Sequence, residues 1–94
     1  MKVEDRARIL KAIATGRAWL EELLGGRMDG TEALALRAGS SERSVRMTLS
    51  LAFVSPAIVE AIVAGRLPRG IGIRHLAELP PSWTEQHAAL GLGI

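Results

Sequence analysis

Four side chains between residues 42 and 53 have the types and the spacing of a surface that reads DNA bases. At about 100° per residue they fall on one side of a helix predicted from Glu42 to Phe53. They are Arg43, Arg46, Met47 and Ser50. An arginine fork pairs with O6 and N7 of guanine, a serine hydroxyl bonds bases or phosphates, and an apolar tip contacts the methyl group of thymine. The face therefore predicts binding in the major groove, with a solvated helix face as the alternative.

The other side of this helix is predicted to pack against the rest of the domain. Its residues are mostly apolar or small: Val45, Thr48, Leu49, Ala52 and Phe53. Ser41 precedes the helix and is a suitable N-cap, whose hydroxyl accepts a hydrogen bond from the backbone N–H of Arg43 or Ser44. The helix is thus expected to start at Glu42 with its arginines facing outward.

Three small residues predict how a preceding helix meets this one. Ala35 allows the two helices to approach, Gly39 allows a turn with positive φ, and Val45 points into the angle between them. This spacing is typical of a pair of helices that cross at roughly 90–120°. Residues 31–53 are therefore predicted to form a helix-turn-helix of the DNA-binding kind.

A long amphipathic helix is predicted over residues 4–24. Its apolar residues recur at helical spacing: Ile9, Leu10, Ile13, Leu20, Leu23 and Leu24. Gly16 indicates either a break or a place where another helix crosses closely, and Trp19 is expected to anchor the core or its rim.

Three further helices are predicted after the helix-turn-helix. The first begins at Pro56, is capped by Ser55 and ends at Gly65. Its apolar stripe consists of Ile58, Val59, Ile62 and Val63. Of these, Ile58, Ile62 and Val63 are expected to serve either the core or a homodimer interface. Short helices follow over 72–79 and 81–90, and the second aligns Trp83, His87 and Leu90. No segment alternates as a strand does, so the fold class is all-α with five or six helices.

Composition limits the classes of protein. The 94 residues predict one small domain, and the absence of cysteine excludes disulfides and thiol catalysis. The N-terminus lacks the apolar region of a secretion signal and no apolar run spans a membrane, so a cytoplasmic location without membrane contact is expected. The formal charge is +2, with ten arginines and two lysines, so a DNA-binding chain must segregate its cations.

The sequence offers little for catalysis, metals or cofactors. His75 and His87 are the two histidines and are expected to be structural, because no paired carboxylate lies at metal-ligand spacing. The acids Glu21, Glu22, Asp29 and Glu32 are expected to be solvated helix-end charges. No phosphate-cradling loop ends in Gly-Lys-Ser/Thr. No enzyme activity, metal or cofactor is expected within these residues.

The chain resembles the C-terminal region of serine site-specific recombinases. The resemblance is carried by SERSVRMTLSLAFVSPAIVEAIVAGRLPRGI and HLAELPPSWTEQHAALGL, and it extends from Trp19 to Leu92. It implies a DNA-recognition domain separate from the catalytic domain, with Ser41, Arg43 and Arg46 as DNA contacts. No position matches the family's nucleophilic serine. The second half of the stretch is also similar to ParB-type partition proteins.

These observations predict that residues 1–94 form a single helical domain of a larger recombinase-like protein that binds double-stranded DNA. The N–H groups near Thr31 are expected to bind phosphate. The DNA-binding residues are predicted to be Thr31, Ser41, Glu42, Arg43, Arg46, Met47 and Ser50. Contacts by Arg66 and Arg69 stay open. A partition protein or transcription regulator is one alternative function, and a helical protein-interaction module is another.

Overall fold

All regular secondary structure in the described part of the chain is helical, which confirms the all-α prediction. The computed structural model describes residues 3–68 and 70–92. Its helices are α1 (Val3–Leu24), α2 (Thr31–Ala38), α3 (Glu42–Ser50), α4 (Pro56–Val63), α5 (Ile73–Ala77) and α6 (Trp83–Ala89). A single 3-10 turn, Leu51–Phe53, follows α3.

Helix α1 is continuous through Gly16, so the glycine marks a close crossing and not a break. A β-carbon at position 16 would lie 2.2 Å from the carbonyl oxygen of Thr48. The missing side chain therefore lets α1 pack against the backbone of α3. At the end of α1, Leu23 packs inward whereas Leu24 is 79% exposed, so the predicted inward position of Leu24 is wrong. Leu23 packs against the buried cluster formed by Leu34, Ala35 and Val45.

The buried side chains form two clusters. The larger one joins the first half of α1 to the 3-10 turn, α4, α5 and the residues after α6. Its most buried members include Ile13, Leu51, Ile58 and Leu76. The smaller cluster lies between α2 and α3 and is backed by Trp19 and Leu23 of α1. Helix α1 therefore joins the α2–α3 pair to the rest of the domain.

Helix α3 ends earlier than predicted, and this changes which side chains face inward. The chain passes into the 3-10 turn at Leu51. Because a 3-10 helix has about three residues per turn, side chains rotate away from the α-helical pattern. Leu51 becomes fully buried and Phe53 is 54% exposed. The prediction that Phe53 faces inward is thus wrong.

The predicted start of helix α4 is confirmed, but only part of its predicted apolar stripe is buried. Ser55 accepts a hydrogen bond from Ile58 N–H at 3.1 Å, and Pro56 stands in the first turn. Ile58 and Ile62 are fully buried in the core of this chain, so they offer nothing to a homodimer interface. Val63 is exposed, because the buried face turns to Ala61 instead.

The last two helices are shorter than predicted, and a glutamine takes the expected place of a tryptophan. Leu90 is buried beyond α6 and His87 is half-buried, but Trp83 is exposed at the start of the helix. Gln86, which is 1% exposed, faces the core. Three hydrogen bonds compensate for its burial: its amide accepts from Ser55 N–H and donates both N–H groups to the carbonyls of Phe53 and Pro80, at 2.9 to 3.0 Å.

No single helix in the described ranges is long and apolar enough to cross a membrane. The segments Glu42–Phe53 and Pro56–Val63 reach the length and apolar composition of a membrane span only when taken together, and the chain bends by 96° between them.

Candidate nucleic-acid interface

Helices α2 and α3 meet through the three small residues that the sequence singled out. Ala35 and Val45 are buried in one cluster with Leu34. Gly39 adopts a left-handed φ of 65° and donates its N–H to the carbonyl of Leu36. The predicted packing of Ala35 and Val45 and the predicted turn at Gly39 are confirmed. The identification of this pair as a DNA-binding helix-turn-helix stays a prediction.

Helix α3 begins as predicted. The hydroxyl of Ser41 accepts a hydrogen bond from the N–H of Ser44 at 3.1 Å. The backbone of Ser41 is extended, as an N-cap requires, and its carbonyl accepts from Val45 N–H. Ser41 is therefore engaged in fixing the helix start, and this role sets the direction in which Arg43 and Arg46 project.

Three of the four side chains predicted for the outer face are exposed. Arg43 and Arg46 are exposed, and Met47 is 37% exposed. Ser50 is half-buried and its hydroxyl donates to the carbonyl of Arg46 at 3.0 Å. The outer face therefore offers two guanidinium groups and one apolar tip, with the serine set further back.

Glu42 connects the two helices through its carboxylate. Its Oε2 atom accepts from the hydroxyl of Thr31 at 3.0 Å and from Nη1 of Arg46 at 3.2 Å. The Arg46 side chain keeps 61% of its surface exposed within this ion pair. Thr31 and Glu42 thus bond to each other across the start of the two helices, and Glu42 holds one side of the Arg46 guanidinium.

The surface beside the start of α2 is acidic. A groove there is lined by Asp29, Glu32 and Glu42, together with Gly30 and Thr31. Gly30 caps α2 without a side-chain hydrogen bond. Free N–H groups favour an anion, but three carboxylates around one groove repel phosphate. The electrostatics at this point therefore oppose the phosphate contact predicted near Thr31.

The opposite flank of α3 carries a second cation. A groove between α3 and α5 is lined on the α3 side by Ser41, Arg43, Ser44 and Met47, and on the α5 side by Arg74, Ala77 and Glu78. The sequence alone does not indicate that Arg74 lies in this groove. Its nearness to Arg43 depends on how α5 packs against α3, and no local sequence signal encodes that packing.

Of the two loop arginines whose contact with DNA the sequence leaves open, Arg66 is described by the structure and Arg69 is not. Arg66 is exposed, and its N–H donates to the carbonyl of Ala61 where α4 ends. Arg69 lies outside the described residues.

Ser55 and His87 form the one serine–imidazole contact in the described part of the chain, at 2.7 Å. A serine beside a histidine is the arrangement of an activated nucleophile. Here, however, Ser55 is 0% exposed and its oxygen already caps α4. No substrate can reach the hydroxyl, so the contact serves to join α6 to α4.

The acids do not gather into a metal site. Within residues 3–68 and 70–92, no group of three His, Asp or Glu side chains is placed to hold a metal ion. Glu22, predicted to be solvated, is instead a partly buried carboxylate that pairs with Arg37 of α2 at 2.7 Å. This pair holds α2 onto α1. His75 accepts a hydrogen bond from Gly72 N–H and organises the start of α5.

Comparison of the chain with protein-family models, curated proteins and solved structures finds no match. The resemblance to serine recombinases and to partition proteins accordingly stays a prediction.

Proposed function

We propose that this domain binds double-stranded DNA in a sequence-specific manner, with α3 seated in the major groove. The observation that carries the proposal is the division of α3 into two faces. Val45 is fully buried against α2, whereas Arg43, Arg46 and Met47 are exposed on the outer face. A short, capped helix that presents arginines from its first half matches the way a recognition helix reaches base edges.

Arg43 and Arg46 differ in the contacts that their guanidinium groups make within the domain. The Arg43 side chain is exposed and forms no hydrogen bond or ion pair within the described residues, so its guanidinium is available to O6 and N7 of guanine. Arg46 must turn from Glu42 or share its donors with that carboxylate. An exposed ion pair four residues apart is worth only about 0.3–0.5 kcal/mol. A bidentate contact with guanine, worth about 1–3 kcal/mol, outweighs this loss.

The remaining residues of the face have smaller roles. Met47 lies beside Arg43 in the groove toward α5 and supplies an apolar contact for a thymine methyl. Ser50 is set back and bonded to its own helix, so its contact with DNA is the weakest of the four. Ser41 and Glu42 act by positioning the arginines, since Oγ of Ser41 and Oε2 of Glu42 already accept hydrogen bonds.

The role that we propose for the domain in the full protein is based on the resemblance to serine recombinases. The domain would deliver a recombinase-like catalytic unit, carried elsewhere in the full protein, to its DNA site. A partition protein or a transcription regulator would use the same surface in the same way. An N-terminal catalytic domain in the parent gene would distinguish the recombinase from these two.

A helical protein-interaction module is the second candidate. It is favoured by Leu36 of α2, which is 84% exposed beside the acidic groove. An apolar side chain in that position suits a protein partner better than a phosphate backbone. The same domain would then use α2 and not α3 as its contact helix.

The test is selection of duplexes from a random pool by the purified domain, followed by affinity measurements between 50 and 200 mM salt. We expect an enriched sequence whose affinity falls steeply with salt, because about 0.9 counterion is released for each phosphate contacted. A pool without enrichment, or an affinity that does not respond to salt, would contradict the proposal.

A matched pair of double variants shows where the DNA binds. Arg43→Ala with Arg46→Ala removes two charges from the outer face, and Arg8→Ala with Arg27→Ala removes two exposed charges elsewhere. Both have the same net charge. The first is expected to abolish the preference for the selected sequence, and the second to retain it.

A further inference from the structure

We infer that Arg74 of α5 binds a backbone phosphate of the DNA, so that the groove between α3 and α5 receives one strand beside the recognition helix. This inference rests on the proposed function. It assigns a contact to a residue outside the predicted helix-turn-helix, and it moves the phosphate contact away from the start of α2.

The charges on the two flanks of α3 carry the inference. The groove on the α2 side is lined by the acids Asp29, Glu32 and Glu42, and no cation from the described residues lines it, although Arg46 pairs with Glu42 at its edge. The groove on the α5 side is lined by Arg43 and Arg74 and by one acid, Glu78. A strand of phosphates that passes along α3 is therefore repelled on one side and attracted on the other.

The position of Arg74 suits a phosphate better than a base. It projects from α5, which forms the wall of the groove, whereas Arg43 projects from α3 itself. A helix in the major groove is flanked by the two phosphate backbones, which contacts from neighbouring elements hold in register. Arg74 is exposed and forms no ion pair within the described residues, so its guanidinium is available without loss of another contact.

Glu78 sets the limit of this contact. It lies one helical turn after Arg74 and lines the same groove. Its carboxylate opposes a phosphate that approaches too deeply, so the strand is expected to contact the Arg74 side of the groove. Removal of this negative charge is expected to strengthen binding to any duplex.

The test compares Arg74→Ala with Arg8→Ala. Arg8 is an exposed arginine on α1, and its loss changes the net charge by the same amount. Affinities for the selected duplex and for a shuffled duplex are measured across 50 to 200 mM salt. For Arg74→Ala we expect affinity to fall by the same factor on both duplexes, with a salt slope shallower by about 0.9. Arg8→Ala is expected to leave the slope unchanged.

Two conservative variants separate the charge from its geometry. Arg74→Lys is expected to keep the wild-type slope, because a phosphate accepts a point charge, whereas a bidentate guanine contact would be lost. Glu78→Gln is expected to raise affinity for both duplexes. Circular dichroism of each variant confirms that the helices are retained.

The outcomes distinguish the inference from the function it rests on. If the wild-type domain binds no DNA, both are overturned. If it binds DNA and Arg74→Ala keeps the full salt slope, the inference alone is overturned. A loss confined to one base pair of the selected site would also overturn it, since Arg74 would then read a base.

Discussion

Gly16 of α1 lies against the carbonyl oxygen of Thr48 in α3, so closely that a β-carbon at position 16 would come within 2.2 Å of that oxygen. Helix α1 thereby supports α3 from behind. The outer face of α3, with Arg43 and Arg46, is left uncovered by this packing. The absence of one side chain on α1 thus bears on the surface that is proposed to contact DNA.

Gly16→Ala is expected to destabilise the domain by more than about 2 kcal/mol, because an added methyl group in a packed contact forces the helices apart. Helix propensity alone predicts the opposite sign, since alanine is favoured over glycine in a helix interior by about 1 kcal/mol. Chemical denaturation of the variant and the wild type measures the difference.

Gly30→Ala is the control for this substitution. A β-carbon at position 30 meets nothing within 4 Å, and the backbone there is extended. The free energy of unfolding is expected to change by less than about 0.5 kcal/mol, because the loss in capping preference offsets the reduced entropy of the unfolded chain. A Gly16→Ala variant as stable as this control would contradict the close crossing.

The two faces of α3 are expected to respond differently to truncation. Val45→Ala removes two methyl groups from a fully buried position, at a cost of about 2–3 kcal/mol including the cavity. Met47→Ala, on the outer face, is expected to change stability by less than about 0.5 kcal/mol. If the domain binds DNA as proposed, the order is expected to reverse for affinity: Met47→Ala should weaken DNA binding, while folded Val45→Ala should keep it. Equal stability losses at both positions would show that α3 is oriented differently.

Gln86 is expected to be one of the most sensitive polar positions. Gln86→Ala leaves Ser55 N–H and the carbonyl of Pro80 without this partner, and each buried unpaired group costs about 1–3 kcal/mol. A loss of more than about 2 kcal/mol is expected from thermal or chemical unfolding. Glu85→Ala, on the exposed side of the same helix, should change little. A small effect at position 86 would mean that the amide is not structurally required.

Much of the local structure could be predicted from the sequence, because its signals act over a few residues. Ser41 and Ser55 cap their helices, Pro56 lies in a first turn, and Gly39 adopts the left-handed turn. Each of these depends on backbone geometry within four residues. The outward direction of Arg43 follows from the helical period once the cap fixes the start of α3.

The features that could not be predicted depend mostly on contacts between distant parts of the chain. Gln86 reads as a surface residue, and its burial is understandable only beside Ser55 and Phe53, which are more than thirty residues away. The inward position predicted for Phe53 is wrong because the change from α to 3-10 geometry after Ser50 has no clear sequence signal. Arg74 joins the candidate interface only through the packing of α5 on α3.

The proposed contact of α3 with base edges through its arginines is tested most directly by the base preferences of Arg43→Ala and Arg46→Ala. Affinities of each variant are measured for the selected duplex and for every single-base-pair change in it. We expect each variant to lose about 1–3 kcal/mol of binding free energy on the selected site and to distinguish the bases at one position no longer. Wild-type affinity and unchanged preferences in both variants would contradict it.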